Sequence, residues 1–171
     1  MNENKKQIVV EVIDQEIDLE VFGKKIESRM DWLGCGADIF FVGRVRDFNH
    51  GKKVVGVSYD AFKPLAEKTF HEICQEAALE WGPLMSLTLL HRVGRLEVGD
   101  ASVYISVTTP HRDEAFEACR YVIEQLKIRA PIWKKEHYDT GDSEWLKGHE
   151  LCRHHGPAHK HVRSLQEQKG G

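Results

Sequence analysis

The 171-residue chain is long enough for one domain with a core of its own, without disulfide or metal staples. It is 41% hydrophobic and 30% charged, with a formal net charge of −3, which excludes a general nucleic-acid binder and confines any anion site to a local basic cluster. No apolar run is long enough to span a bilayer, and none follows Lys5-Lys6, so neither a membrane segment nor a secretory signal is expected.

Residues 8–13 predict a first strand, with Val10 and Val12 alternating against Glu11. Asp18 is a fair N-cap for a helix reaching about Trp32, with Leu19, Phe22, Ile26 and Met30 at roughly helical spacing and Gly34 and Gly36 ending it. Residues 37–45 form the clearest strand, dense enough in Ile39, Phe40, Phe41, Val42 and Val45 to predict burial on both faces. It runs into Gly43-Arg44-Val45-Arg46. The polar stretch 47–53, with Asn49-His50-Gly51, predicts a hairpin loop, and 54–59 the strand returning from it. Pro64 suits the first turn of a helix whose buried face is Ala66, Phe70, Ile73 and Ala77, ended by Gly82-Pro83. A strand over 85–90 delivers His91-Arg92, which read as a polar strand end held by hydrogen bonds. A connecting segment over 93–98 then leads through Gly99-Asp100 into a strand over 101–108.

Pro110-His111-Arg112-Asp113 opens the last helix, where Asp113 and Glu114 suit the positive end of the helix dipole. Ala115, Phe116, Cys119, Val122, Ile123 and Leu126 recur at helical spacing, so this helix is expected to reach about Lys127. Pro131 forbids its continuation and pushes Ala130 towards extended geometry. On the strand that follows, Ile132, Lys134 and Glu136 share one face, and Trp133 and Lys135 the other. Trp133 reads as a core or interface anchor, and Trp145 as the last anchor of the domain. From Lys147 the chain becomes polar and His-rich with no apolar period, so the expectation is a domain over 1–146 and a disordered tail over 147–171. The tail run from Cys152 to His161 carries soft ligands at a spacing that matches no closed metal site, and no metal site is expected. Cys35, Cys74, Cys119 and Cys152 form no CxxC pair. Three lie in apolar patterns, as buried reduced thiols of a cytoplasmic protein would.

The chemistry gathers at element ends. Arg44 and Arg46 close one strand, His111 and Arg112 open the last helix, Lys127 closes it, and Lys134 and Lys135 follow the bend. A sharp turn can bring the Lys127 and Lys134 ammonium groups into one pocket, as base, nucleophile or anion clamp; both can equally be solvated surface residues. Such cations suit a phosphorylated small molecule or a carboxylate tail. His111 and Lys127 stand about 20 Å apart along one helix, so a single small pocket cannot hold both from one chain: either the helix is shorter or, the reading we favour, two protomers complete each site. No P-loop, dinucleotide fingerprint or nucleophilic serine elbow is present. Interleaved helices and strands with short hairpin links predict an α+β fold with a mixed sheet.

Taken together, several runs carry a specific resemblance. They are Gly36 through Arg46, Ser58-Tyr59-Asp60-Ala61-Phe62, His91-Arg92-Val93-Gly94, Gly99-Asp100, His111-Arg112 with Ala115-Phe116, and Leu126-Lys127 through Pro131-Ile132-Trp133-Lys134-Lys135-Glu136. Over residues 8–145 the chain resembles the MoaE family, the large catalytic subunits of molybdopterin synthase. The resemblance implies an α/β-hammerhead fold with a largely antiparallel sheet and packed helices. It implies a sulfurtransferase that converts cyclic pyranopterin monophosphate into the molybdopterin dithiolene. The sulfur donor is the C-terminal Gly-Gly thiocarboxylate of a small ubiquitin-like partner, and the assembly is a heterotetramer around a central homodimer of large subunits. By position, Lys127 and Lys134 match the essential lysines. Arg44, Val45 and Arg46 lie on the substrate-facing segment, His111 and Arg112 match contacts from the neighbouring protomer, and Lys135 and Glu136 belong to the same binding run. No cofactor, nucleic acid or membrane is implied. Asp60 departs from the family's usual Glu, and the tail ending in Gly170-Gly171 is outside its pattern. The alternative is a non-catalytic anion-binding or scaffold protein on the same fold.

Overall fold

A computed structural model describes residues 7–27, 34–82 and 84–147. The Cys152–His161 run and Gly170-Gly171 lie outside the described residues. Ten strands and three helices are described, in the order β1 (Ile8–Ile13), α1 (Leu19–Glu27), β2 (Ala37–Arg44), β3 (Phe48–Asn49), β4 (Lys52–Ala61), α2 (Lys63–Trp81), β5 (Ser86–Arg92), β6 (Gly94–Leu96), β7 (Ala101–Thr109), α3 (Arg112–Arg129), β8 (Ile132–Tyr138), β9 (Gly141–Asp142) and β10 (Leu146–Lys147). One sheet has the order β1-β5-β7-β2 and the other β10-β8-β4-β3, with β6 on β4 and β9 on β8. Only β1 and β5 pair in parallel among the described strands. The fold is therefore mixed α+β and largely antiparallel, as expected.

Strand β7, central in the first sheet, is buried along its whole length because elements cover it on both faces. On one face α2 contributes Phe70, Ile73, Cys74 and Ala77, and α3 contributes Ala115, Ala118, Cys119 and Val122. Alanines at these positions let the two helices approach each other closely over the sheet. On the other face Ile13, Ile17, Leu90, Ala101 and Tyr104 pack with Leu19 and Phe22 of α1. Asp18 caps α1 as expected, its Oδ1 accepting from the Glu20 and Val21 amides at 2.9 and 3.1 Å.

Several expectations are corrected. Strand β2 is an edge strand, not one buried on both faces: Phe40 is 55% exposed, since no further strand or helix among the described residues covers it. The strand returning from the hairpin does not pair with β2. Val45 leaves the first sheet, its amide donating to Asp100 and its carbonyl accepting from Gly99, and this carries the chain into the second sheet. There a short β3 pairs with β4 across His50 and Gly51, both at positive φ, the backbone a two-residue hairpin turn requires. The segment after Val93 contains β6, and α3 runs on to Arg129. Trp145 is 47% exposed, too open to anchor the core; Trp133, 37% exposed, is not a core anchor either, and its outward face is the one the interface reading requires. Cys74 and Cys119 are buried and Cys35 only half-buried. Lys147 belongs to β10, one residue into the expected tail.

The end of α3 is clamped to α2. Arg129 grips Glu76 with two guanidinium nitrogens, at 2.6 and 3.0 Å, and the Tyr121 hydroxyl donates to the same carboxylate at 2.7 Å. The bonds from Arg129 and Tyr121 hold the Glu76 carboxyl below its ordinary range. A folded pKa below the unfolded one gives stability that is present above the unfolded value and lost on acidification. Arg129→Ala is expected to cost about 1 kcal/mol at neutral pH, because the pair is part-exposed but bidentate. Chemical denaturation should show that deficit shrinking as pH falls through the carboxylate range. An undiminished deficit at pH 3 would mean the clamp works by packing alone.

Candidate active site

A cavity of about 340 Å³ opens where the ends of β2 and α3 meet the inner face of the second sheet. Arg44, Arg46, Lys127 and Lys134 all line it. Each arrives for a local reason. The pairing of β2 with β7 slips between Gly43 and Arg44, and the Arg44 guanidinium donates to the Gly99 carbonyl at 2.9 Å. The register there demands glycine: a Cβ on Gly43 would stand 2.6 Å from Val103 Cγ1. Val45 turns inward to a small core of Val54, Val57 and Leu96, which sends Arg46 back towards the cavity.

Lys127 and Lys134 flank the proline bend. The Ala130 amide still donates to Leu126, but its ψ of 134° is extended, and two residues later β8 begins. Lys127 is exposed and makes no ion pair among the described residues. Lys134 is different. Its Nζ lies 2.6 Å from Glu136 Oε1, and the side chains are 19% and 2% exposed. Glu136 also accepts from Asn49 Nδ2, at 3.0 and 2.9 Å to its two oxygens, and from the Tyr138 hydroxyl. Burial pushes the Glu136 carboxyl up, but the bonds from Lys134, Tyr138 and Asn49, with the Lys134 charge, outweigh it and hold the group below its ordinary range. The carboxylate therefore stays charged and keeps Lys134 in place.

The inner wall is uncharged. Tyr59 meets His91 edge to face, with ring centroids 5.0 Å apart. Burial pushes the His91 pKa down to about 4, against an opposing hydrogen bond with the Arg92 carbonyl, so the imidazole is neutral near pH 7. Its Nδ1 lies 2.9 Å from that carbonyl oxygen and must carry the proton. His91 is thus a strand-end histidine held by a hydrogen bond, as expected, and also a wall of the cavity.

The other site residues read from the sequence lie elsewhere in the single chain. His111 stands at the N-cap position at the far end of α3, without a side-chain capping bond, and Arg112 beside it is exposed, 3.7 Å from Asp113. Lys135 faces the opposite side of β8 and pairs with Asp142 at 3.2 Å. Val45 is core, and Glu136 stands one step behind the lining. Sequence reasoning alone does not single out Asn49, Tyr59 or Tyr138 as site residues. Tyr138 is within its reach, two residues beyond Glu136 on the same strand face; Asn49 looks like an ordinary turn residue.

Four cations line one cavity on a chain of net negative charge, with the Glu136 carboxylate behind Lys134, and the sequence runs that carry them match a known group. The family model described as MoaE protein matches residues 12–129. The chain belongs to the MoaE family. That match includes Arg44, Arg46 and Lys127 and ends just before the bend. The molybdopterin synthase catalytic subunit of Synechococcus elongatus is 52% identical over 118 residues, 69% of this chain and 72% of that one. The subunit of the same name from Pseudomonas aeruginosa is 44% identical over 117 residues, 68% of this chain and 76% of that one. Among solved structures, molybdopterin synthase from Staphylococcus aureus superposes with a TM-score of 0.72 at 34% identity, covering 80% of this chain and 95% of that one. A complex of subunits 1 and 2 of molybdopterin-converting factor from Helicobacter pylori shares the fold, with a TM-score of 0.65 at 24% identity, covering 78% of this chain and 87% of that one. No helix among the described residues is long and apolar enough to cross a membrane.

Proposed function

We propose that this chain is the catalytic subunit of a cytoplasmic molybdopterin synthase. As a sulfurtransferase it moves sulfur from the C-terminal thiocarboxylate of a small ubiquitin-like partner to cyclic pyranopterin monophosphate, forming the dithiolene in two transfers. One observation carries the reading: two lysines separated by a proline bend line the same cavity as two arginines. Arg44 and Arg46 offer planar forks to the phosphate. Lys127, exposed at the rim, acts as general acid and base at the thiocarboxylate and the reacting carbon. Lys134, held by Glu136, stabilises the negative charge that develops during transfer. Lys135 and Glu136 complete the run, Lys135 from the outer face of β8 and Glu136 as the seat of Lys134. His111 and Arg112 stand too far along α3 to reach this cavity, and they serve the cavity of a second copy in a central homodimer, whose outer ends take the partner. The unit that does this is residues 1–146, with 147–171 as an appendage.

The test supplies purified chain with thiocarboxylated partner and cyclic pyranopterin monophosphate. Dithiolene formation is expected. Binding of the pterin without product, with a partner active on another MoaE protein, would leave the non-catalytic anion-binding reading instead.

A further inference from the structure

Asn49 has an unusual position for a turn residue. It precedes the positive-φ pair His50-Gly51, so the hairpin directs its side chain inward instead of leaving it in solvent. One end of its amide meets Arg46, whose Nη2 donates to Oδ1 at 3.2 Å. The other end meets Glu136, with Nδ2 at 3.0 and 2.9 Å from the two carboxylate oxygens. Chemistry fixes this orientation, because a guanidinium has only donors and a carboxylate only acceptors. No other side-chain class of this length supplies both ends without charge.

We infer that Asn49 is a positioning residue of this site, aligning Arg46 on one side and, on the other, the Glu136 carboxylate that seats Lys134. This rests on the function proposed above. Two consequences follow from the amide being neutral. Arg46 is oriented without being neutralised, so its full charge remains for the phosphate. Glu136 is satisfied by two neutral donors, Asn49 and Tyr138, beside Lys134, so the buried carboxylate stays fixed as the seat of that ammonium without a second cation. The charged and titratable groups around Glu136 are Lys134 and Tyr138 on β8, Arg46 beyond Asn49, and Lys52 on β4, whose ammonium lies 5.1 Å from the Tyr138 ring centroid.

Dithiolene formation is measured from pH 5 to 9 for the native chain, Asn49→Ala, Asn49→Asp and the double variant Asn49→Asp/Glu136→Gln. Asn49→Ala should lose about tenfold or more in kcat/KM, as expected when a hydrogen bond to a charged group is removed. Asn49→Asp should add an ionisation that the native profile lacks, because two carboxylates in contact cannot both ionise freely. The double variant should abolish that ionisation, since the amide that replaces the Glu136 carboxylate can donate to the new acid. Asn49→Ala within twofold of native overturns the inference. So does an Asn49→Asp profile that superposes on the native one, or an added ionisation that survives in the double variant. Unfolding curves for all four chains separate these results from misfolding, and the Asp pair of variants carries the test if Asn49→Ala is poorly folded. A native chain that forms no dithiolene sinks the proposed function itself, which sets that failure apart from a failure confined to Asn49.

Discussion

Lys127→Ala is expected to lower dithiolene formation by about 10²-fold or more while leaving the fold intact, the scale of losing a positioned acid-base group. The side chain is exposed and makes no ion pair among the described residues, so nothing in the packing depends on it. Its loss removes a cation from the last turn of α3, which costs roughly 0.3–1 kcal/mol through the helix dipole, partly offset by the better helix propensity of alanine. Lys127→Arg separates two roles. An arginine keeps the charge but cannot give up its proton, so it rescues an anion clamp and does not rescue an acid-base group. Single-turnover assays with saturating partner decide between them. Full activity in Lys127→Ala would remove the lysine from the chemistry. Full rescue by arginine would reduce it to a clamp.

Lys134→Ala should damage both activity and stability, because this lysine neutralises a buried carboxylate. Removing one member of a buried pair costs about 3–5 kcal/mol, and the low end applies since Asn49 and Tyr138 still donate to Glu136. The sign of the pH dependence follows. In the native chain the Glu136 pKa is lowered, so its contribution is present above the ordinary carboxylate value of 4.5 and is lost as pH falls through the lowered one. In Lys134→Ala the largest of the lowering influences is gone and burial still pushes up, so the carboxyl takes a proton at higher pH. The deficit relative to native is therefore full near pH 7 and narrows as pH falls into the carboxylate range. Denaturant melts at neutral pH and in that range measure it. Lys134→Ala/Glu136→Gln should recover much of the stability and none of the activity. A deficit under about 1 kcal/mol at pH 7, or one that widens on acidification, would show that the pair does not hold the site together.

Much of the site was legible because it depends on local rules. Pro131 ends α3 and starts β8 whatever surrounds it, and period-two alternation puts Lys134 and Glu136 on one face. Asp18, Pro64 and the Gly99 turn likewise act within a few residues. The errors arose where an assignment needed a neighbour. A dense apolar run at β2 signals burial, yet whether both faces are covered depends on what lies beyond the edge of the sheet. The same holds for Trp145, whose exposure depends on whether another element reaches it.

By itself the sequence determined the long elements, the bend, the cationic character of the segments around it and membership of the MoaE family. Only the tertiary structure decided that Arg44, Arg46, Lys127 and Lys134 share one cavity, and that Lys134 is tied to a buried carboxylate that also accepts from Asn49, 87 positions away. The reason is physical. Backbone periodicity and turn chemistry act over a few residues, whereas the contact between Asn49 and Glu136 exists only after β4 has paired with both β3 and β8 in register.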